Sequence, residues 1–244
     1  QRWANLRHEA VITVDGAGSL LGVTGITKLG GTVLTVNTPG TLTFDSATEV
    51  TDTSLTAPAD VVLAFTVATT LKNVNLTASG GGDILFPVAT GYTGYNYGDT
   101  TIQATGAGSR IDLSHLETFY GGGEYQSSSY PYPWYYYTTN VNALDGGEVD
   151  LAGAISHRNS ITVDGADSVL DVAGVTSVAD ASITVQAGNL VTFGSLASLV
   201  NVSLYANGGA RILFPVATGY TGYNSADTTI QATGAGSRID LSHL

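Results

Sequence analysis

The sequence predicts an all-β fold, specifically a right-handed, three-sided parallel β-helix (β-solenoid) with about 21 residues per coil and about ten coils. Three observations support this prediction: an almost verbatim internal duplication, an apolar spacing that returns every 21 residues, and glycine or small polar residues where the chain must turn. The composition agrees, because charged residues make up only 11% of the chain. Surface helices need more of them, whereas short strands and tight turns do not.

The duplication is the clearest feature of the chain. Residues 84–96 read ILFPVATGYTGYN, and residues 212–224 read the same; residues 100–116 read TTIQATGAGSRIDLSHL, and so do residues 228–244. The offset between the copies is 149 residues near the start of the chain and 128 residues here, a difference of 21. A protein with one global core rarely tolerates such a loss, but a solenoid does if 21 residues form one coil.

The small apolar period defines the coil. An apolar–x–apolar pair recurs at Leu21/Val23, Leu42/Phe44, Leu63/Phe65, Ile84/Phe86, Ile111/Leu113, Val149/Leu151, Leu170/Val172, Val191/Phe193, Ile212/Phe214 and Ile239/Leu241. A second pair, such as Ile12/Val14, precedes each of these, and a looser third set, such as Ile26/Leu29, follows. Alternation with period two indicates a strand with one buried face. Three such strands per coil give a three-sided solenoid, and parallel crossovers are overwhelmingly right-handed.

We therefore treat residues 1–244 as a single β-solenoid. Its first repeat unit covers about 10–159, with loops at 87–99 and 117–140. Its second unit covers about 160–244, is one coil shorter and is incomplete. Because a copied segment runs to the last residue, we expect either a longer repetitive protein or chains that stack end to end.

Residues that tolerate a left-handed backbone recur at the expected corners. Glycine, aspartate or asparagine lies three residues before most first strands, at Gly31, Asp52, Asn73, Asp99, Asp180, Asn201 and Asp227. Asp15-Gly16 and Asp164-Gly165 mark the corner between the first and second strands. Turn chemistry is sufficient to account for these side chains.

Charge and composition argue against several classes of function. The net charge is −12 with eight basic residues, which disfavours nucleic acid and anionic membranes as partners. Apolar runs stay well short of the roughly 20 residues of a membrane span, so we expect no membrane insertion. Cysteine is absent, which excludes disulfides and thiolate metal sites. The P-loop, dinucleotide, HExxH and nucleophile-elbow motifs are also absent from the sequence.

Two insertions interrupt the regular coils. By the apolar pattern both follow the second strand, in neighbouring coils, so we expect them to project from the same side. The candidate contact residues in these loops and in the second copy are Tyr92, Tyr95, Tyr97, Tyr130, Tyr132, Trp134, Tyr135, Tyr136, Tyr220 and Tyr223. Aromatic loops on a rigid scaffold can contact another copy of the chain, bind a sugar ring, or fold back over the solenoid wall.

A column of carboxylates is the second candidate site. Asp112, Asp150 and Asp171 occupy consecutive outward positions of the second strands. Stacked carboxylates repel each other unless a cation lies among them, so Ca²⁺ is a candidate ligand and the one possible cofactor. Arg110 and Glu148 lie on the same face and could form ion pairs instead. Glycoside hydrolysis needs two carboxylates set around the sugar, whereas this column is one residue wide, so we expect no enzymatic activity.

The coil register, the near-verbatim duplication and the lack of cysteine resemble segments of very large bacterial surface and secreted proteins built as right-handed β-helices. Filamentous adhesins and autotransporter passenger domains are of this kind. The resemblance covers the whole chain and rests on period and composition. It implies an extracellular, cell-surface location and a fibrous or adhesive role, with copies of the chain or adjacent repeats as partners. The alternative is a carbohydrate-binding or polysaccharide-active β-helix that uses its aromatic loops.

Overall fold

The computed structural model describes residues 10–16, 18–95, 97–128, 130–131, 133–222 and 227–244. The regular structure of these residues is entirely β. The strands are β1 Ala10–Val14, β2 Lys28–Gly30, β3 Thr32–Val36, β4 Gly40–Phe44, β5 Glu49–Ala57, β6 Val61–Phe65, β7 Thr70–Ser79, β8 Asp83–Leu85, β9 Gly91–Thr93, β10 Thr100–Thr105, β11 Arg110–Leu113, β12 Thr118–Tyr120, β13 Glu124–Gln126, β14 Trp134–Tyr136, β15 Thr139–Leu144, β16 Glu148–Ser156, β17 Asn159–Asp164, β18 Val169–Val185, β19 Leu190–Thr192, β20 Ser198–Asn207, β21 Arg211–Leu213, β22 Gly219–Thr221, β23 Ile230–Thr233 and β24 Arg238–Asp240. Within these ranges no helix is long and apolar enough to cross a membrane.

Neighbouring strands pair in parallel along the whole ladder. In β5, β7 and β9, for example, Val50 pairs with Leu71 and Leu71 pairs with Tyr92, each 21 residues further along the chain. Among the described strands, the one antiparallel pairing joins β13 and β14. The prediction of an all-β parallel architecture is confirmed, and the long ladder is consistent with a β-solenoid-like fold.

The register of the ladder follows the apolar spacing of the sequence. The outward positions of the first strands stack in the order Thr13, Thr35, Thr56, Thr77, Gln103, Asn142, Thr162, Thr184, Tyr205 and Gln231. Since side chains alternate between the two faces of a strand, the residues on either side of each position point inward. Leu204 and Ala206, which flank Tyr205, are accordingly fully buried.

Aromatic rings stack along the core of the second strands. Phe44 and Phe65 lie parallel with their ring centroids 4.4 Å apart, and Phe65 and Phe86 are 4.7 Å apart. Phe193 and Phe214 form a similar pair at 5.1 Å. The spacing follows the distance between neighbouring strands, about 4.8 Å. Phenylalanine at this inward position in consecutive coils therefore produces two separate ring stacks, one of three rings and one of two.

Five of the seven corner residues that the sequence indicated adopt a left-handed backbone. Gly31, Asp52, Asn73, Asp180 and Asn201 all have positive φ, between 49° and 59°. The Asn73 amide donates to Asp52 Oδ1 at 2.6 Å, and the Asn201 amide donates to Asp180 Oδ1 at 2.7 Å. Neighbouring corners are thus joined to each other by side-chain hydrogen bonds.

The corner predicted between first and second strands also forms. Gly16 and Gly165 have φ of 88° and 83°. The amide of each glycine donates to the preceding aspartate, Asp15 at 2.9 Å and Asp164 at 2.8 Å. These aspartates therefore serve the turns and are not free ligands.

The two inserted loops leave the ladder one strand later than the sequence suggested. Tyr92 in β9 is the register partner of Leu71 in β7, and Phe119 in β12 is the partner of Tyr92. The insertions therefore begin after Thr93 and Tyr120, at the end of the third strand, and the prediction that they follow the second strand is wrong. Both still leave at the same corner of neighbouring coils.

Candidate functional site

Tyr92 belongs to the core and not to an exposed loop. It is fully buried, and its ring stacks on Phe119 at a centroid distance of 4.6 Å. Its hydroxyl hydrogen-bonds the Val74 carbonyl and Thr100 Oγ1, each at 3.1 Å. Burial raises the pKa of Tyr92 to about 12, opposed by its side-chain hydrogen bonds with Thr100 and Thr139. The prediction that Tyr92 contacts a partner is wrong, because the third strand points it inward.

The second copy repeats this arrangement with Tyr220. Its hydroxyl bonds the Val202 carbonyl at 3.0 Å and Thr228 Oγ1 at 2.9 Å, and its ring is half-buried. Both tyrosines thus tie the third strand to the start of the next first strand. Tyr220 is consequently a structural residue as well, in contrast to the sequence expectation.

Replacing Tyr92 with phenylalanine is expected to lower the free energy of unfolding by about 1–3 kcal/mol, because a buried carbonyl loses its hydrogen-bond donor. Tyr220→Phe is the matched control. It should cost less, since water can approach the half-buried ring. Urea unfolding of the two variants checks this, and equal losses would contradict the role assigned to burial.

The long insertion folds into a short hairpin. Strands β13 and β14 pair antiparallel, with Tyr125 opposite Tyr135 and Gln126 opposite Trp134. The base of the hairpin requires glycine, because a Cβ atom on Gly122 would lie 1.8 Å from the Tyr137 carbonyl oxygen. The three successive glycines before β13 therefore allow the chain to pass close to the backbone that follows β14, where the loop leaves the ladder.

Aromatic contacts join the two neighbouring loops. The Tyr95 and Tyr97 rings are 5.4 Å apart, and Tyr97 lies 4.8 Å from Tyr125 of the hairpin. Tyr125 in turn lies 6.4 Å from Tyr135. The prediction that both insertions project on the same side is confirmed by these contacts. Tyr125 was missed as a candidate, although it stands in the same aromatic string.

An exposed aromatic surface results, formed by Tyr97, Tyr130, Trp134, Tyr135 and Tyr136. Tyr130 is 87% exposed, and the other four side chains are 48% to 58% exposed. About half of each of those four is therefore packed by neighbours, while the rest faces solvent. Tyr132 and Tyr223, also predicted as contact residues, lie outside the described residues.

Two strained residues support the inner side of this surface. His157 and Arg158 have positive φ, 61° and 51°. The His157 ring stacks on Tyr120 at 3.8 Å, and the Arg158 guanidinium carbon lies 4.0 Å from the centre of the Tyr136 ring. The stack fixes Tyr120 at the foot of the hairpin, and the cation–π contact holds Tyr136.

The carboxylate column forms with the predicted register, but Arg110 enters it. Asp112 pairs with Asp150, and Asp150 with Asp171. Arg110 donates to Asp150 Oδ2 from Nε at 2.8 Å and also from Nη2. It lies 3.3 Å from Asp112 and 3.4 Å from Glu148. The ion-pair alternative is confirmed, with one guanidinium shared by three carboxylates.

Burial perturbs the carboxylates around Arg110. Asp150 is 3% exposed, and burial raises its pKa to about 6 although Arg110 opposes the shift. Burial also raises the pKa of Asp83. Burial acts in the same direction on Asp112, but hydrogen bonds from the Ser114 hydroxyl and amide, together with Arg110, outweigh it and lower the pKa of Asp112.

This column is an ion-pair network and does not form the predicted Ca²⁺ site. Asp171 is exposed and accepts a hydrogen bond from the Ala173 amide at 2.9 Å, outside the Arg110 network. Across the described ranges, no group of three or more His, Cys, Asp or Glu side chains could hold a metal ion. The Arg110 guanidinium supplies the positive charge that the stacked carboxylates need.

Comparisons with known proteins found no matching family model, curated protein or solved structure. The function must therefore be inferred from the parallel ladder, the aromatic surface and the corners beside it.

Proposed function

We propose that this chain is a structural and adhesive module of an extracellular bacterial fibre or large surface protein. In this proposal the ladder is a right-handed, three-sided β-helix of about ten coils. Its aromatic surface contacts copies of the chain or adjacent repeats. The observation that carries the proposal is this surface of half-exposed rings on a parallel scaffold, since aromatic residues on exposed loops are typical of interaction sites.

The packing of these rings favours protein contact. The Tyr97 and Tyr135 rings are held by Tyr125, and Tyr136 is held by Arg158. Side chains that are already ordered lose less conformational entropy when a partner binds. Tyrosine and tryptophan are also the residues in which interface energy concentrates.

The overall charge sets a condition on self-association. Two chains of net charge −12 repel each other. The surface rings themselves are uncharged, so contact through them does not add to this repulsion. We therefore expect association to strengthen as salt screens the remaining charges.

The test of this proposal is Trp134→Ser. Sedimentation velocity over a range of protein and salt concentrations should show association of the unmodified chain, and the variant should associate at least about tenfold more weakly. Tyr205→Ser, on the strand wall away from the loops, is the matched control and should have no effect. A chain that stays monomeric up to high concentration in high salt would refute self-association.

The second candidate is a carbohydrate-binding module, and the exposed ring faces of Trp134 and Tyr136 favour it. Polysaccharide pull-down separates the two, since loss of glycan binding by Trp134→Ser with unchanged sedimentation would favour this candidate. We propose no catalytic role for the carboxylate column, because Asp150 is almost inaccessible behind Arg110.

A further inference from the structure

A groove with a volume of about 660 Å³ runs along the ladder beside the hairpin. Its volume is within the range of small-molecule binding sites, about 300–1,000 Å³. Tyr120 and Glu124 at the foot of the hairpin border one end, and Asp227 and Thr228 border the other. None of the groove residues was predicted from the sequence as a contact residue. Each comes from a corner or strand that fits the regular pattern of its own coil, and the groove forms only where neighbouring coils stack.

The floor of the groove is a row of hydroxyl groups. Ser160, Ser182 and Ser203 are register partners in three neighbouring coils, and all line the groove. They repeat at the strand spacing of about 4.8 Å. This spacing is close to the length of one sugar ring in an extended glycan. Successive rings can therefore meet successive hydroxyls.

One side of the groove is formed by corners. At one of these corners the residue with a left-handed backbone is not glycine, aspartate or asparagine. Arg158, Asp180 and Asn201 each precede aligned strand residues, and all three have positive φ. Aspartate and asparagine tolerate this conformation, whereas arginine does so at a conformational cost. His157 beside it has positive φ as well. Strain of this kind is retained where the surroundings enforce it, and it clusters at binding sites.

The lining chemistry identifies the class of ligand. The serine hydroxyls and the Tyr120 ring provide hydrogen bonds and one flat apolar face, which suits a sugar better than an apolar peptide side chain. Arg158 is accompanied by the carboxylates of Glu124, Asp180 and Asp227, and the whole chain has a net charge of −12. Acidic glycans would be repelled. The strands beneath are already paired on both sides, so a peptide cannot add to the ladder there.

We propose that this groove binds a neutral, extended oligosaccharide, with about one sugar ring per coil. The proposal does not depend on self-association, and it assigns the ligand to the groove and not to the crest of the hairpin. Arg158 is then retained at a strained corner because its guanidinium both holds Tyr136 and borders the ligand.

Isothermal titration of the full chain tests this proposal. The probes are hexasaccharides of β-1,4-linked glucose, xylose and mannose, with hexagalacturonate as the acidic comparison. At least one neutral hexasaccharide should bind, and hexagalacturonate should bind more weakly or not at all. Absence of neutral binding, or preference for the acidic probe, would overturn the proposal.

Variants locate the binding site. Ser182→Tyr places a large side chain on the groove floor and should weaken binding at least about tenfold, since it removes space that the ligand needs. Ser54→Tyr is the matched control, because Ser54 has the same strand position in a coil far from the groove. Equal affinities of these two variants would also overturn the proposal.

Arg158→Asn is the second test of glycan binding in the groove, and it applies if Ser182→Tyr does not fold. Asparagine suits the left-handed corner, so this variant should melt at a higher temperature and yet bind the glycan about fivefold more weakly. Higher stability with unchanged affinity would overturn the proposal. Sedimentation of the unmodified chain keeps the two proposals separate, since a chain that binds the glycan but does not associate counts only against the filament function.

Discussion

Replacing Phe65 with alanine is expected to destabilise the ladder by about 3–5 kcal/mol. Phe65 is fully buried between Phe44 and Phe86, with ring centroids 4.4 Å and 4.7 Å away. The substitution removes two stacking contacts and leaves a cavity in the middle of the stack. The flanking rings belong to paired strands and cannot close the gap without breaking ladder hydrogen bonds.

Which strands are destabilised is a more stringent test of the ladder than the size of the loss in unfolding free energy. In a repeat ladder each coil contacts mainly its neighbours, so destabilisation should spread only a short distance. Hydrogen exchange should accelerate in β4, β6 and β8 and remain slow in β18. Phe65→Leu fills most of the space and should cost less than about 1.5 kcal/mol. Uniform acceleration along the chain would show one cooperative unit and contradict this view of the ladder.

The register of the strands could be predicted from the sequence because every coil repeats the same apolar alternation and the same type of turn residue. Thr13 and Gln231 are far apart in the chain, yet they stand in one column because each step obeys the same alternation and the same turn chemistry. The positive φ of Asp52, Asn73, Asp180 and Asn201 follows from residue type in the same way.

The point at which the loops leave the ladder was predicted less accurately than the register, because the third strand has the weakest apolar pattern. Tyr92 was assigned to a loop because tyrosines surround it in the sequence. Its spacing of 21 residues from Leu71 marks it as a third-strand residue. Aromatic content had more influence on the prediction than position did. The hydroxyl of Tyr92 finds a buried carbonyl, which makes an inward tyrosine acceptable.

Contacts between coils of unequal length were also beyond the sequence. Arg110 and Asp150 are 40 residues apart, because the hairpin intervenes between their strands. Ion pairs of Arg110 and Glu148 were foreseen as an alternative, but the pairing of Arg110 with Asp150 and the burial of Asp150 were not. The groove is a further case, since the residues that line it run from Tyr120 at the foot of the hairpin to Thr228.

Removing the Arg110 guanidinium is expected to cost about 2–3 kcal/mol at neutral pH, because it takes charged hydrogen bonds from the buried Asp150 carboxylate. Arg110 itself is 40% exposed, so the cost stays below that of breaking a fully buried pair. Arg110→Met keeps the aliphatic stem and removes the charge and the donors. Thermal and urea unfolding measure the loss. The duplication provides the matched control Arg238→Met. Arg238 is exposed and pairs with Asp240 at 2.6 Å, so its loss should have little effect.

The pH dependence distinguishes an unpaired charge from simple loss of packing. The pKa of Asp150 is about 6 in the fold, raised from an ordinary value of 3.8. The folded state therefore holds the proton more tightly, and the contribution of Asp150 to stability falls as pH rises from about 4 to about 6 and is constant above that. Without Arg110 the pKa should rise further, which extends this decline to higher pH.

The Arg110→Met penalty should consequently be larger at pH 7–8 than near pH 4, where Asp150 is largely protonated in the folded form of both chains. The difference should be about 1–2 kcal/mol, since each pH unit above a folded pKa of about 6 adds at most about 1.4 kcal/mol. Asp83, Asp112, Glu148 and His115 are further ionisable side chains near Arg110 and its partners, so the comparison needs a variant in which only Asp150 is made non-ionisable. Asp150→Asn in the Arg110→Met chain should recover the pH-dependent part of the loss at pH 7 and flatten the pH dependence of stability. If the penalty is the same at both pH values and Asp150→Asn does not reduce it, Arg110 stabilises the ladder through its aliphatic packing, and the carboxylates tolerate one another without it.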